Sequence, residues 1–267
     1  MNISIKSFFT VVAIFNLILL LLIILNLLEM KENHNSLVEI EHNRYLMIQK
    51  ADELRQSSDD LTRFARSYAV TLDQKYKENF DTTLKIRNGE APRPEHYEWV
   101  YWDLVEPLRS LLHPLGEEQS LKSQMYRLPY AKQEIKYLEE SENNSNELVK
   151  IEVEAFNALK GLFKDENGKY TVQKEPDQQH AIELLYSFEY NRAKERIMYP
   201  INMFLESINK RTEDQIDDIN FMIKSNINNV FYLFIFDIIV IVITWMLVAM
   251  NVLKLHQSPD RSDKVLP

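Results

Sequence analysis

Arg55, Asp59, Thr62 and Arg66 follow one another at i, i+4, i+7 and i+11, so a helix lines them up on one face, with Arg63 at its flank. A guanidinium pair beside a hydroxyl can clamp a carboxylate or another small organic anion through paired N–H donors. Tyr97, Tyr101 and Trp102 can wall such a pocket. Asn157 and Lys160, at i and i+3, are candidate contacts from a facing helix. The plainer alternative is a solvated face on which Arg and Asp at helical spacing pair with each other.

Other chemistries find less support. Glu39-x-x-His42 has the i, i+3 spacing of di-iron bundles, and Asp177-x-x-His180 is close to it. Such a site needs inward carboxylates from two more helices at one level, and Glu39 and Asp177 lie at different heights, so no metal or cofactor is expected. Glu152 and Glu154, at i and i+2, point to different helix faces and make no acid–base pair. No nucleophile motif, phosphate loop or cofactor fingerprint occurs, and the expectation is a protein that is not an enzyme. Cysteine is absent, which excludes a disulfide framework, a zinc-thiolate site and a thiol nucleophile. A net charge of −9 without any basic block speaks against nucleic acid as a partner.

The elements that must hold these residues are helices. Gly89, Gly116, Gly161 and Gly168 are the only four glycines, too few for the turns of an all-β or Rossmann-type fold. Two apolar runs, Phe8–Leu28 and Val230–Leu253, bracket the chain. Each has about 20 residues, enough to cross a ~30 Å hydrocarbon core as a helix. The first is longer than an ordinary signal-peptide core, and Leu28-Glu29-Met30-Lys31 offers no small-x-small cleavage site, so it reads as an uncleaved anchor. Lys6 and the N-terminal amine precede the first run, and Lys254, His256, Arg261 and Lys264 follow the second. Lys31 and Lys224 face the middle segment beside Glu29 and Glu32, so both termini are expected in the cytoplasm and the middle segment outside it.

A 3-4 spacing of core positions starts in the first run. It passes through Asn16, Leu19, Ile23, Asn26, Met30, Asn33, Leu37, Ile40, Arg44, Met47, Ala51, Leu54, Ser58, Leu61, Ala65, Tyr68 and Leu72. That is an a/d seam of about eight heptads with no Pro or Gly in it, and it predicts one rigid helix from Ser7 to Leu72. Shorter helices are expected over 74–87, capped by Asp73 and stopped by Asn88-Gly89, and over 94–112, opened by Pro94. Another ends at Tyr126, and one starts at Pro129 and runs to Glu142. Asn143-Asn144-Ser145-Asn146 reads as a kink or a solvated surface before the pattern resumes at Leu148. Residues 164–175 read as a loop that can hold a small hairpin. Pro176 opens the last helix, whose seam from Arg211 to Asn229 is polar through Arg211, Gln215, Asp218 and Asn226. Pro200 within it removes one backbone bond and is the expected hinge.

Within the second span, Asp237 is a carboxylate that costs ~2.5 kcal/mol or more to expose to lipid. A polar contact between spans, with Asn16 on the seam of the first, would offset that, within one copy or between two. The expected organisation is then all-α: cytoplasmic residues 1–7, a transmembrane helix 8–28, an extracytoplasmic helical bundle 29–229, a second transmembrane helix 230–253, and a cytoplasmic tail 254–267. The bundle divides into stalk helices 29–51 and 198–229 and a distal part, 52–197. Two stalk helices bury little, and a homodimer with four of them would bury their seams better.

Four blocks carry a resemblance: Leu54-Arg55-Gln56-Ser57-Ser58-Asp59-Asp60-Leu61-Thr62-Arg63-Phe64-Ala65-Arg66-Ser67-Tyr68; Ile86-Arg87-Asn88-Gly89-Glu90-Ala91-Pro92-Arg93-Pro94 with Tyr101-Trp102-Asp103; Glu152 to Phe163; and Pro176-Asp177 onward through Ala181, Leu184, Tyr190, Lys194 and Pro200. In this order they resemble the extracytoplasmic sensor region shared by bacterial methyl-accepting chemotaxis proteins, hybrid sensor histidine kinases and diguanylate cyclases. The likeness covers residues 45–215. It implies a domain in the bacterial inner membrane that binds a small ligand in the periplasm and passes a helix displacement to a cytoplasmic output module. Members of that family continue into such a module, whereas this sequence ends shortly after Lys254-Leu255-His256-Gln257-Ser258-Pro259, so the expectation is either a truncated sensor or a recipient on a separate signalling protein. The alternative is an adaptor that binds another periplasmic protein and regulates a separate membrane kinase or receptor.

Overall fold

A computed structural model describes residues 5–108 and 113–257. The chain is all-α apart from one small hairpin. Its helices are α1 (Ile5–Thr71), α2 (Gln74–Asn88), α3 (Trp102–Leu108), α4 (Leu121–Met125), α5 (Lys132–Leu159), α6 (Gln178–Tyr186) and α7 (Phe188–Gln257), with β1 (Leu162–Lys164) antiparallel to β2 (Tyr170–Gln173) between α5 and α6.

The first helix runs as its seam predicts. Met47, Ala51, Leu54, Ser58, Leu61, Ala65 and Tyr68 are all buried. Leu72 then adopts a left-handed φ of 58°, which ends α1 and leaves its own side chain outside. Asp73 caps α2 by accepting from the Lys75 amide at 3.1 Å, and Gly89, at φ 76°, closes it with its N–H on Ile86. A Cβ at Gly89 would lie 2.5 Å from the backbone nitrogen of Ser120, so close packing as well as φ selects glycine here.

Three expectations give way. The helix over 94–112 shrinks to α3. Pro94 instead pairs with Leu115 in an isolated bridge, the Glu95 amide donates to Pro114 at 2.9 Å, and His96 takes a φ of 55°. Tyr97, Trp99 and Tyr101 therefore stand on a tight turn. Residues 109–112 of that expected helix lie outside the described residues, as do residues 258–267 of the expected tail.

Next, α5 passes through 143–146 without a break. Its inward row is Glu134, Leu138, Ser141, Ser145, Leu148, Glu152 and Ala155 at 3-4 spacing, all buried, with each polar member matched by a partner. Glu134 accepts from Arg211 at 2.8 and 3.0 Å and from the Ala131 amide at 2.7 Å. Ser141 donates to the Ile197 carbonyl, and Ser145 meets Arg87 at 2.7 Å.

The last helix is two. Ser187 separates α6 from α7, its hydroxyl accepting from the Tyr190 amide at 3.0 Å in the manner of an N-cap. Along α7 the inner row lies one residue over from the expected Arg211, Gln215 and Asp218, and meets the expected row at Asn226. Thr212, Ile219 and Asn226 are buried, Ile216 and Ile223 half-buried, and Asp218 and Met222 exposed. Ile216, Ile219 and Ile223 follow one another at 3-4 spacing on this row, and burying them leaves the acids to solvent.

The chain divides into two compact units, Glu41–Glu213 and the flanking segments up to Ile40 and from Asp214. The larger takes in residues 41–51 and 198–213 of the expected stalk, because the start of α5 packs there. The Tyr130 hydroxyl donates to the Met47 carbonyl at 3.1 Å, and its ring meets that of Phe204. The flanking unit contains two helices long and apolar enough to cross a membrane. Their apolar side chains are largely uncovered, Leu17 at 69% and Trp245 at 72% exposure, and apolar surface on this scale is stable against lipid and not against water.

Candidate functional site

Arg55 is spent on its own helix, donating to Asp52 at 2.8 Å and to Asp59 at 2.9 Å on an exposed face. This is the solvated ladder that helical spacing allows. Arg66 points the other way, toward the α6–α7 junction. It donates to the Leu185 carbonyl at 3.0 Å, one of the carbonyls that α6 leaves without a helical donor, and to Asn191 Oδ1 at 3.2 Å, with its guanidinium 4.5 Å from the Tyr186 ring centre. Arg63 turns to Asp60 at 3.0 Å and to Asp103. The three guanidiniums thus serve three places and each binds groups of this chain, while Arg63 Nε is buried without a hydrogen-bond partner among the described residues.

Thr62 belongs to a buried polar network that joins α1, α5 and α7. The ammonium of Lys194 reaches Asp59 at 2.8 Å, Ser58 Oγ at 3.0 Å and Thr62 Oγ1 at 3.3 Å. The hydroxyl of Tyr190 lies 2.6 Å from Glu152 Oε1 and 3.0 Å from Thr62 Oγ1. It has one proton, and gives it to the carboxylate while Glu152 is ionised. Glu152 and Tyr190 are completely buried, and Glu152 Oε2 has no hydrogen-bond partner among the described residues. Burial pushes the Glu152 carboxyl up to about 7, against the Tyr190 hydrogen bond and the nearby Lys194, Arg87 and Arg66 charges. Burial likewise lowers Lys194.

Sequence reasoning set Glu152 aside as half of an acid pair and read Tyr190 and Lys194 only as part of a likeness. A usable signal was present. Glu152 follows Leu148 by four and precedes Ala155 by three, so it occupies a core position. Ser58 with Thr62, and Tyr190 with Lys194, repeat at i, i+4 and offer it partners.

Of the aromatic candidates, Tyr97 and Trp102 are core. The Trp102 Nε1–H donates to Tyr97 Oη at 2.9 Å, and the Trp102 ring meets Phe64 edge-on at 5.1 Å. Burial raises the Tyr97 hydroxyl above the usual phenol range. Tyr101 is also buried. Tyr101 and Trp102, with Gln56, Asp60 and Arg63 of α1 and with Glu98, Trp99, Val100 and Asp103, line an open cleft of about 460 Å³. So Arg63, Tyr101 and Trp102 do come together, but among three carboxylates. Asn157 and Lys160 stand at the end of α5, where the Lys160 amide closes the helix on the Asn157 carbonyl, and neither lines the cleft.

In the flanking unit the Asn16 and Asn26 amides donate to the carbonyls of Val12 and Leu22 on their own helix. Asp237 faces inward, and its Oδ1 has no hydrogen-bond partner among the described residues, as is true of the side-chain nitrogens of Asn33 and Asn226. The expected Asn16–Asp237 pair is thus not formed within one copy. Asp177, one of the two residues with metal-like spacing, caps α6 by accepting from the His180 amide at 2.9 Å. Compared with known proteins, the chain matches no family model, no curated protein and no solved structure. The likeness to bacterial sensor regions rests on the four sequence blocks.

Proposed function

We propose that this chain is a two-span membrane protein whose helical bundle, residues 41–213, is an extracytoplasmic input domain. It binds a small ligand and passes a helix displacement across the membrane to a cytoplasmic output module. The observation that carries this reading is the continuity of α1, which supplies both an apolar span and the core row Met47–Tyr68 of the bundle. A ligand that shifts the bundle part of α1 acts on the same helix that enters the membrane. The Lys and Arg distribution supports cytoplasmic termini, and the four blocks support a bacterial inner membrane with the bundle in the periplasm. A homodimer belongs to the proposal, since the two apolar helices leave most of their surface uncovered.

The absence of cysteine makes the test direct. Tyr45→Cys, at an exposed position of α1, should react with a membrane-impermeant maleimide in intact cells. Reaction only after the inner membrane is permeabilised would overturn the orientation. Met30→Cys and Leu37→Cys should cross-link between copies in a pattern that changes with ligand, and a pattern indifferent to every ligand that binds the bundle would overturn the transmission.

A second reading is favoured by the surface beside the cleft. Trp99, Val100 and Leu104 are 56%, 61% and 46% exposed, an aromatic and aliphatic face that a protein partner would cover. An adaptor that docks another periplasmic protein there would not need a small ligand.

A further inference from the structure

We propose that the cleft between α1 and the turn ahead of α3 is a binding site for an organic cation, an ammonium group carried on an apolar body. This deepens the input-domain reading by naming the class of ligand, and it reverses the charge expected from the arginine spacing.

The charge arrangement is lopsided. Asp60 and Asp103 share one guanidinium, that of Arg63. Glu98 on the rim adds nothing to the imbalance, because Arg93 holds it at 3.0 Å. Two carboxylates against one cation leave a net negative cleft. Asp60 matters most, since its side chain is only 13% exposed and the hydrogen bond it receives among the described residues comes from Arg63. Burial pushes its carboxyl up to about 6 against the pull of the Arg63 charge, with the negative charges of Asp103 and Asp59 adding to the rise.

The shape supplies the second half. A cleft of about 460 Å³ lies in the size range of small-molecule sites. The Trp99 indole stands at its edge, stacked on the His96 ring at 4.0 Å and 56% exposed, with the edges of Tyr101 and Trp102 behind. A π face beside a carboxylate suits an ammonium group with an aromatic or aliphatic body. An anion would lie beside two carboxylates that already hold both terminal nitrogens of Arg63, leaving it only the buried Nε.

The test uses the full chain in lipid nanodiscs, with benzyltrimethylammonium as probe and benzoate as its anionic counterpart at equal ionic strength. The cation should change tryptophan emission saturably, and the change should shrink in Trp99→Phe, which leaves only Trp102 to report from the cleft. Asp60→Asn should weaken binding at least tenfold, about 1.4 kcal/mol. Wild-type affinity should fall as pH drops through about 6, where Asp60 takes up a proton. Asp103→Asn removes a largely exposed charge without threatening the fold, and should also weaken binding; circular dichroism confirms that both variants are helical. Benzoate binding as tightly as the cation would overturn the proposal. So would unchanged affinity in both Asp variants, or a full signal in Trp99→Phe. Cation binding that leaves the Met30→Cys cross-links unaltered would overturn transmission and leave the site standing.

Discussion

The side-chain amide of Asn144 donates to the backbone carbonyl of Arg196 at 2.8 Å, and Arg196 is the residue whose helical donor is missing because Pro200 has no N–H. One turn away on α5, Ser141 Oγ donates to the Ile197 carbonyl at 3.0 Å, beside the same proline ring. The opening that Pro200 makes in α7 is therefore filled from α5. Asn144 looked like part of a kink and Pro200 like a free hinge, but the two form one joint. Movement of α7 at Pro200 has to break or carry these bonds.

Replacing Asn144 and Ser141 by Ala together should lower bundle stability by about 2 kcal/mol, near 1 per hydrogen bond. In a Pro200→Ala background the alanine N–H can satisfy Arg196, so the loss from Asn144→Ala should shrink. Chemical unfolding followed by circular dichroism of the four variants gives the coupling directly. Equal losses in both backgrounds would separate Asn144 from Pro200.

The buried acid makes stability depend on pH. Glu152 has an ordinary value of 4.5 and is raised in the folded bundle to about 7. Between those values Glu152 holds its proton in the folded chain and loses it in the unfolded one, so its contribution to stability is full below about 4.5 and is lost as pH rises through about 7. The span corresponds to on the order of 3 kcal/mol. Glu152→Gln keeps the shape and should flatten this part of the profile. Thermal unfolding from pH 4 to 8 checks it, and identical slopes for both proteins would remove Glu152 as the cause.

A different buried acid is already paired. Glu134 is completely buried, and Arg211 is its cationic partner. Arg211→Met should destabilise the bundle by about 3–5 kcal/mol, because it leaves an uncompensated carboxylate in the core. Glu134→Leu with Arg211→Met together should recover much of that loss. A denaturant midpoint for each variant decides it, and a double variant as unstable as Arg211→Met alone would contradict the argument.

Within the membrane segments, Asp237 turns an oxygen inward without a donor from its own copy. Asp237→Leu should weaken self-association of the chain in lipid, measured by energy transfer between labelled copies, while Asp237→Asn should retain most of it. Full association of the Leu variant would show that no second copy supplies the missing donor.

What could be read from the residues, and what could not, follows from how local each cause is. The row from Met47 to Tyr68 and the caps at Asp73 and Gly89 depend on neighbours three or four residues away, and they stand where the pattern puts them. Pro94 fits both a helix start and a bridge, and only its pairing with Leu115 decides. The inward row of α5 was obscured because Glu134, Ser141, Ser145 and Glu152 look like surface residues until their partners on α2 and α7 are known. For the arginines, spacing allowed both an anion clamp and pairing with groups of the chain, and the structure shows the pairing. Asp52, Asp59 and Asp60 were in reach along α1, and Asp103 and Leu185 came from far along the chain.

Helix α1 runs through residue 40 and α7 through residue 214, so a cut at either place falls within a helix. Any excised fragment begins and ends in mid-helix, with up to four backbone donors at one cut and four acceptors at the other stripped of their partners. Secretion of a water-soluble version for crystallisation or screening therefore requires new capping residues at both cuts. A protease added to the intact protein would sooner nick the β1–β2 turn around Gly168 than release the bundle.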